Sequence, residues 1–254
     1  MPDLQGRAAV VTGSSDGIGL ATARRLAELG AAVAINSRSE ERAGAVARTL
    51  RDDGLRAIAV GVDVAAPDGP ERLIGAAIDA FGTVDILVNN AGIPSVSPAE
   101  DLALDDWNRV LALNITAPFR CAQVAGRVML AKGNGVIVNV GSVFSRFGMP
   151  QRVAYAVSKH GLDGLTETLG TEWGPRGVRV VSVNAGYVAT TFVQNAMARG
   201  GFSEADLVRR TPLRRLASPS EVANVIAFVA SDDASYVNAT ALYVDGGWTG
   251  YGGW

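Results

Sequence analysis

Tyr155 and Lys159 stand four residues apart in the run Ala154-Tyr155-Ala156-Val157-Ser158-Lys159, which reads as helix. Residues i and i+4 of a helix share a face, so a phenol and an ammonium project together. A free phenol, with a pKa of about 10, is almost wholly protonated at neutral pH. A cation about 4 Å away, at an effective dielectric of about 20, favours the phenolate by about 4 kcal/mol. That is enough to lower the phenol pKa by up to about three units, before desolvation and geometry are counted. Such a phenol donates a proton to an alkoxide and withdraws one from an alcohol. Ser142 lies upstream, just past the apolar run Val136–Val140. A hydroxyl there hydrogen-bonds the oxygen of a substrate held near Tyr155.

A second constellation suits an anion. Thr12-Gly13-Ser14-Ser15-Asp16-Gly17-Ile18-Gly19 joins the strand pattern Ala8–Thr12 to the helix pattern Gly17–Leu29. Glycines let the backbone approach a pyrophosphate, and the helix N-terminus offers free N–H groups and a partial positive charge. Gly13, Ser15, Asp16, Gly17, Ile18 and Gly19 are therefore expected to hold a dinucleotide. The next strand pattern, Ala32–Asn36, closes on Ser37-Arg38. An acidic residue there binds a ribose 2′-hydroxyl, whereas an arginine suits a 2′-phosphate. Ser37 and Arg38 favour NADP(H) over NAD(H), although Arg38 would also pair with Glu41 as an exposed helix-start residue.

These groups need a scaffold that brings strand ends together. Short apolar runs alternate with helical patterns along the whole chain. Further strands are expected at Arg56–Val60, Ile86–Asn89, Val136–Val140, Val178–Val183 and Ala241–Val244. Further helices are expected at Glu40–Leu50, Pro70–Ala80, Trp107–Leu130, Ala154–Trp173 and Ser220–Ala230. That alternation implies an α/β fold, a single Rossmann-type doubly wound parallel sheet of about seven strands with helices on both faces. No linker, repeat or charge block divides residues 1–254, so one dinucleotide-binding domain is expected. The irregular stretch Ala189–Pro219, with Arg209-Arg210 and Arg214-Arg215, reads either as a substrate lid or as a solvated excursion.

Composition narrows the class. Hydrophobic residues make up 48% of the 254 and charged residues 19%, which supports a large core and argues against disorder. A formal net charge of −2 with no basic run gives no footprint for nucleic acid. No apolar stretch approaches the roughly 20 residues needed to span a bilayer, and the N-terminus lacks signal-peptide order. One cysteine, Cys121, leaves no internal disulfide and fits a reducing, cytoplasmic setting. The sole histidine, His160, turns about 100° away from Lys159 on a helix and reads as structural. One histidine and no clustered carboxylates or cysteines leave no metal site. The tail Gly246 to Trp254 is aromatic and glycine-rich, suited to a subunit interface or to a neighbour's substrate pocket.

Taken in order, the chain resembles the short-chain dehydrogenase/reductase family over nearly its whole length. The matching pieces are the Thr12–Gly19 turn, Asp63-Val64, Asn89-Asn90-Ala91-Gly92, Asn114, Ser142, Tyr155, Lys159, Asn184-Ala185-Gly186, Thr190 and Asp245-Gly246-Gly247. The resemblance implies that Asp63 and Val64 flank adenine, and that Asn90, Ala91 and Gly92 support the cofactor. Gly186, Val188 and Thr190 would line the nicotinamide carboxamide, and Tyr155 and Lys159 would also contact the cofactor. Lys159 would hold the nicotinamide ribose, and Asn114 a water that links it to solvent. Ala185 departs from the family's usual proline, Asn238-Ala239-Thr240 from its small Thr-Gly segment, and Asp16 from the basic residue frequent in NADP-preferring members. The implied activity is NADP(H)-dependent interconversion of a ketone and a secondary alcohol by a homotetramer, as in carbonyl or 3-oxoacyl reductases. An NAD-dependent polyol or sugar dehydrogenase is the alternative. A cofactor sensor without turnover would need only the glycine turn.

Overall fold

The computed structural model describes residues 2–200 and 202–253. Seven strands, β1 (Ala8–Val11), β2 (Ala32–Ser37), β3 (Ala57–Gly61), β4 (Ile86–Asn89), β5 (Gly135–Ser142), β6 (Val178–Ala185) and β7 (Thr240–Val244), form one parallel sheet in the order β3-β2-β1-β4-β5-β6-β7. The order reverses between β1 and β4, which opens a crevice at their carboxyl ends.

Both faces of the sheet are covered, which is why its strands are apolar on both sides. On one face, Ala9 and Val11 of β1 pack with Leu26 of α1 (Gly17–Glu28), Leu50 of α2 (Glu40–Asp52) and Ile226 of α9 (Pro219–Ala230). On the other, Val10 joins Leu73 of α3 (Gly69–Phe81), Met129 of α5 (Ala117–Lys132) and Trp173 of α6 (Val153–Trp173). Adjacent residues of β1 thus serve opposite cores, as the two-residue period of a strand requires. Cys121 is buried in the second core, where burial pushes its thiol up to about 12. Among the described residues no helix is long and apolar enough to cross a membrane.

Two expectations need correction. The single helix expected over Trp107–Leu130 is three pieces: α4 (Leu104–Leu111), a π-helical turn (Ala112–Thr116), and α5. Periodicity cannot reveal one wide turn, and such turns concentrate at functional sites. The Ala189–Pro219 stretch is not irregular. It holds α7 (Thr191–Gly200), capped where Val193 N–H donates to Thr190 Oγ1, and α8 (Glu204–Arg210). A reciprocal cap between Ser203 and Asp206 starts α8. That S-x-x-D spacing was a readable helix start. Gly201 in this stretch and Trp254 at the chain end lie outside the described residues.

Trp248 of the tail packs onto its own chain. It is 9% exposed and meets Tyr187 in a tilted ring contact at 4.7 Å, in a third cluster with Val143, Val193 and Leu207. The Arg210 guanidinium lies 5.0 Å from the Trp248 ring and 5.1 Å from that of Tyr251.

Ile226, fully buried where α9 meets the sheet, anchors one core. Ile226→Ala is expected to lower unfolding stability by about 2–5 kcal/mol in urea, and a loss below about 1 kcal/mol would contradict that packing.

Candidate active site

The carboxyl ends of β1, β2, β4, β5 and β6 converge on a cavity of about 380 Å³, within the range of small-molecule sites. Of the residues expected from the sequence to act in catalysis or hold the cofactor, all but Gly19 and Asn114 line it. They occupy two ends of one crevice: the glycine turn with Ser37, Arg38, Asp63 and Val64 at one, Ser142, Tyr155 and Lys159 at the other.

The glycine turn is clamped by amides from neighbouring strands. Asn90 Nδ2 donates to the carbonyls of Thr12 (2.9 Å) and Gly13 (3.0 Å), while Thr12 Oγ1 accepts from the N–H groups of Asn90 and Ala91. Gly13 has φ +62°, and a Cβ there would stand 3.0 Å from Ala91 Cα. A Cβ on Gly19 would strike the Asn90 amide and the Gly13 carbonyl, so Gly19 is small because this packing requires it, not because it lines the cavity. Asn36, which was not singled out as a site residue, accepts from Gly13 N–H (3.1 Å) and donates to the carbonyls of Val60 and Val62. A polar side chain closing an otherwise apolar strand was its signal. At the mouth of α1 the Asp16 carboxylate accepts from Gly17 N–H (2.7 Å), and the first intrahelical bond begins at Leu20 N–H. The N–H of Ile18, which lines the cavity, is left to bind an anion. The turn has the shape and donors a dinucleotide pyrophosphate needs.

At the other end, Ser142 is the last residue of β5 and pairs in register with Ala185 of β6. Its Oγ accepts from Phe144 N–H at 3.2 Å. Tyr155 sits in the first turn of α6, edge-on to Phe144 at 5.6 Å and beside Phe192 at 6.2 Å. Lys159, one turn on, is 5% exposed and donates to the Val140 carbonyl at 2.8 Å. Its ammonium lies 5.7 Å from the centre of the Tyr155 ring.

This geometry corrects the electrostatic expectation. The cation rests over the ring face and is held by a backbone carbonyl, so burial outweighs the cation's pull on the phenol oxygen. Burial pushes Tyr155 up to about 12, offset in part by the Ser142 hydroxyl, and pulls Lys159 down to about 8, offset in part by Asp163. At neutral pH the phenol is therefore a protonated donor.

Asn114 occupies the π-helical turn and does not line the cavity. Its Oδ1 accepts from Ile93 N–H (2.9 Å), while Nδ2 donates to the Ile93 carbonyl (3.0 Å) and Ser158 Oγ (3.1 Å). Ser158 Oγ in turn donates to the Tyr155 carbonyl (2.7 Å). Both amide hydrogens are thus committed, and the side chain braces the turn that carries Tyr155. His160 is exposed, its Nδ1 2.9 Å from the Ala156 carbonyl, away from the cavity. Arg42, Arg152 and Tyr187 also line the cavity and were not singled out in the sequence. Arg152 was readable as the residue three before Tyr155, and Tyr187 as the residue after Gly186.

The comparisons with known proteins agree with this geometry. A family model described as enoyl-(acyl carrier protein) reductase matches residues 13–249. The cis-4-hydroxycyclohexanecarboxylate dehydrogenase of Sinomonas cyclohexanicum is 43% identical over 96% of each chain. The structure of a short-chain type dehydrogenase/reductase from Mycobacterium marinum superposes with a TM-score of 0.92, at 33% identity over 97% of each chain. The chain belongs to the short-chain dehydrogenase/reductase family. A gluconate 5-dehydrogenase from Burkholderia cenocepacia, solved in complex with NADP and tartrate, superposes with a TM-score of 0.93 at 37% identity, over 98% of this chain and 97% of that one. As a member of this family the protein is an NAD(P)-dependent oxidoreductase acting on hydroxyl and carbonyl groups.

The cofactor-free phenol should stay protonated well beyond its ordinary range. Phenolate absorbance of the wild type, compared with that of Tyr155→Phe, should show no extra tyrosine titrating between about pH 8 and 11. A one-tyrosine excess with a midpoint below about 10 would contradict the assigned burial.

Proposed function

We propose that this protein is an NADP(H)-dependent carbonyl reductase that interconverts a ketone and a secondary alcohol, with Tyr155 as proton donor to the substrate oxygen. The observation that carries this reading is the meeting of a protonated phenol, the Ser142 hydroxyl and a buried ammonium at one end of a crevice whose other end is a dinucleotide cradle. The relatives named as dehydrogenases of a hydroxy compound support a carbinol carbon as the reacting centre.

The cofactor, when bound, supplies hydride to the carbonyl carbon or takes it from the carbinol. The remaining work belongs to the chain. Ser142 Oγ donates to the carbonyl oxygen and fixes its direction, a placement that counts most when negative charge develops there. Tyr155 then gives its proton to that oxygen, and an alkoxide takes it readily from a phenol of pKa about 12. Lys159, pulled down to about 8 by burial, can give up a proton near neutral pH, and since its ammonium faces the ring and not the phenol oxygen, that proton would return to the phenolate through water. Asn114 keeps the α6 turn in place through Ser158, beside the relay to solvent that the resemblance implies. Helix α7 acts as the lid of the substrate end, since its Phe192 and Val193 line it.

The preference for NADP(H) rests on two arginines. Arg38 and Arg42 line the adenosine end, and among the described residues neither pairs with a carboxylate, Glu41 included. Asp16 stands at the same end and opposes an added phosphate with one negative charge, against the two positive charges of these arginines. Asp245-Gly246-Gly247 supports assembly as a homotetramer.

Tyr155→Phe should keep NADPH affinity within about twofold and lose at least about a thousandfold in ketone reduction, followed by NADPH absorbance. Activity surviving in that variant would overturn the mechanism. Arg38→Ala and Arg42→Ala should each weaken NADPH about tenfold more than NADH. Equal losses for the two cofactors would refute the assigned preference.

A further inference from the structure

The substrate end of the cavity holds an arginine without a counter-charge. Arg152, at the N-cap of α6, is 6% exposed. Among the described residues its guanidinium donates only to the Gln151 carbonyl, at 3.3 Å, and pairs with no carboxylate. Tyr187 lines the same space, its ring held by Trp248 at 4.7 Å and Phe202 at 6.2 Å. Its hydroxyl is buried and, among the described residues, makes no hydrogen bond. The two groups lie within electrostatic reach of each other. Burial pulls Arg152 down and pushes Tyr187 up to about 12, and each charge partly offsets the other's shift.

Arg152 thus turns most of its five donors to the cavity without a protein partner, beside a buried hydroxyl that has none, and one ligand in that space completes both. The missing partner is an anion that accepts several hydrogen bonds. The fork of a guanidinium matches a planar carboxylate, and one positive charge balances one negative charge. Arg152 precedes Tyr155 by three residues at the start of α6, which puts their Cβ atoms about 5–6 Å apart. One small molecule therefore reaches both.

We propose that Arg152 and Tyr187 form a carboxylate subsite, so that the substrate is a compact oxo acid or hydroxy acid, anchored by its carboxylate while its carbonyl or carbinol oxygen meets Ser142 and Tyr155. The assignment rests on the carbonyl-reductase reading for its second half only. Arg152 and Tyr187 determine specificity and take no proton from the reaction. Phe192 and Phe202 close the apolar side of the same space, which suits a short hydrocarbon link between the two polar ends.

The test compares 4-oxopentanoate and 5-oxohexanoate with their methyl esters, which keep the ketone and remove the charge. The wild type with NADPH should favour acid over ester by about tenfold to a hundredfold in kcat/KM, chiefly through KM. Arg152→Met should collapse that ratio, Arg152→Lys should retain part of it, and Tyr187→Phe, which removes only a hydroxyl, should lower it less. A wild type that prefers the ester, or a ratio unchanged in Arg152→Met, would overturn the subsite. A calorimetric titration of the same acids and esters into NADP-loaded Tyr155→Phe protein separates this proposal from the reductase reading. Acid-selective binding there, lost when Arg152→Met is added, supports the subsite even if no ketone is reduced. Equal binding of acid and ester, or none by the acid, overturns it even if the esters are reduced.

Discussion

The buried hydrogen bond from the Lys159 ammonium to the Val140 carbonyl fixes the geometry on which the rest of the site depends. A charged amine leaves water at a cost of several kcal/mol unless it is well bonded in its new surroundings. Here the acceptor is backbone, two residues before the end of β5, so it cannot rotate away. A second tie, from Ser145 Oγ to the Lys159 carbonyl at 2.9 Å, joins the loop after β5 to the same turn of α6. Together they hold α6 across the strand end in one register, and Tyr155, one turn earlier, is thereby brought to the cavity wall that Ser142 occupies. Asp163, one turn later, favours the cation and is itself held by Asn184 Nδ2 at 2.8 Å. Gly141 lacks a Cβ because that Asn184 side chain fills the space.

The two ends of the crevice are built by different means. The cofactor end is mostly backbone: glycines at positive φ, amides from Asn36 and Asn90 holding the turn, and a helix mouth with free N–H groups. The substrate end is mostly side chain. Aromatic rings from the β5 and β6 loops, α7 and the tail surround the phenol and the guanidinium, and their low polarity raises one pKa and lowers the other. The desolvation that keeps Tyr155 protonated also makes an unpaired Arg152 receptive to an anion.

Much of this was legible in the residues. Seven strands fell within about two residues of their expected bounds because each is a short β-branched run between turn formers. Tyr155, Lys159 and Ser142 were readable because spacing on a helix and position at a strand end are local properties. What escaped was non-local. Whether the ammonium meets the phenol oxygen or its ring face depends on the Val140 carbonyl, which no spacing reveals. The roles of Asn36 and Asn114 arise from bonds to strands and loops distant in sequence. Helices α7 and α8 were missed because each is short, although the Ser203–Asp206 cap was visible. The contact of Trp248 with Tyr187 also escaped, because it joins the tail to a loop distant in sequence.

If Ser142 and Tyr155 act on a single substrate oxygen, their contributions to the chemical step cannot be independent. The direct measurement is a double-mutant cycle of Ser142→Ala and Tyr155→Phe, read as single-turnover ketone reduction with saturating NADPH. Convergence predicts that the double variant is no slower than the worse single variant, within about threefold. Losses that multiply across the two positions would show that the hydroxyl and the phenol work at separate places.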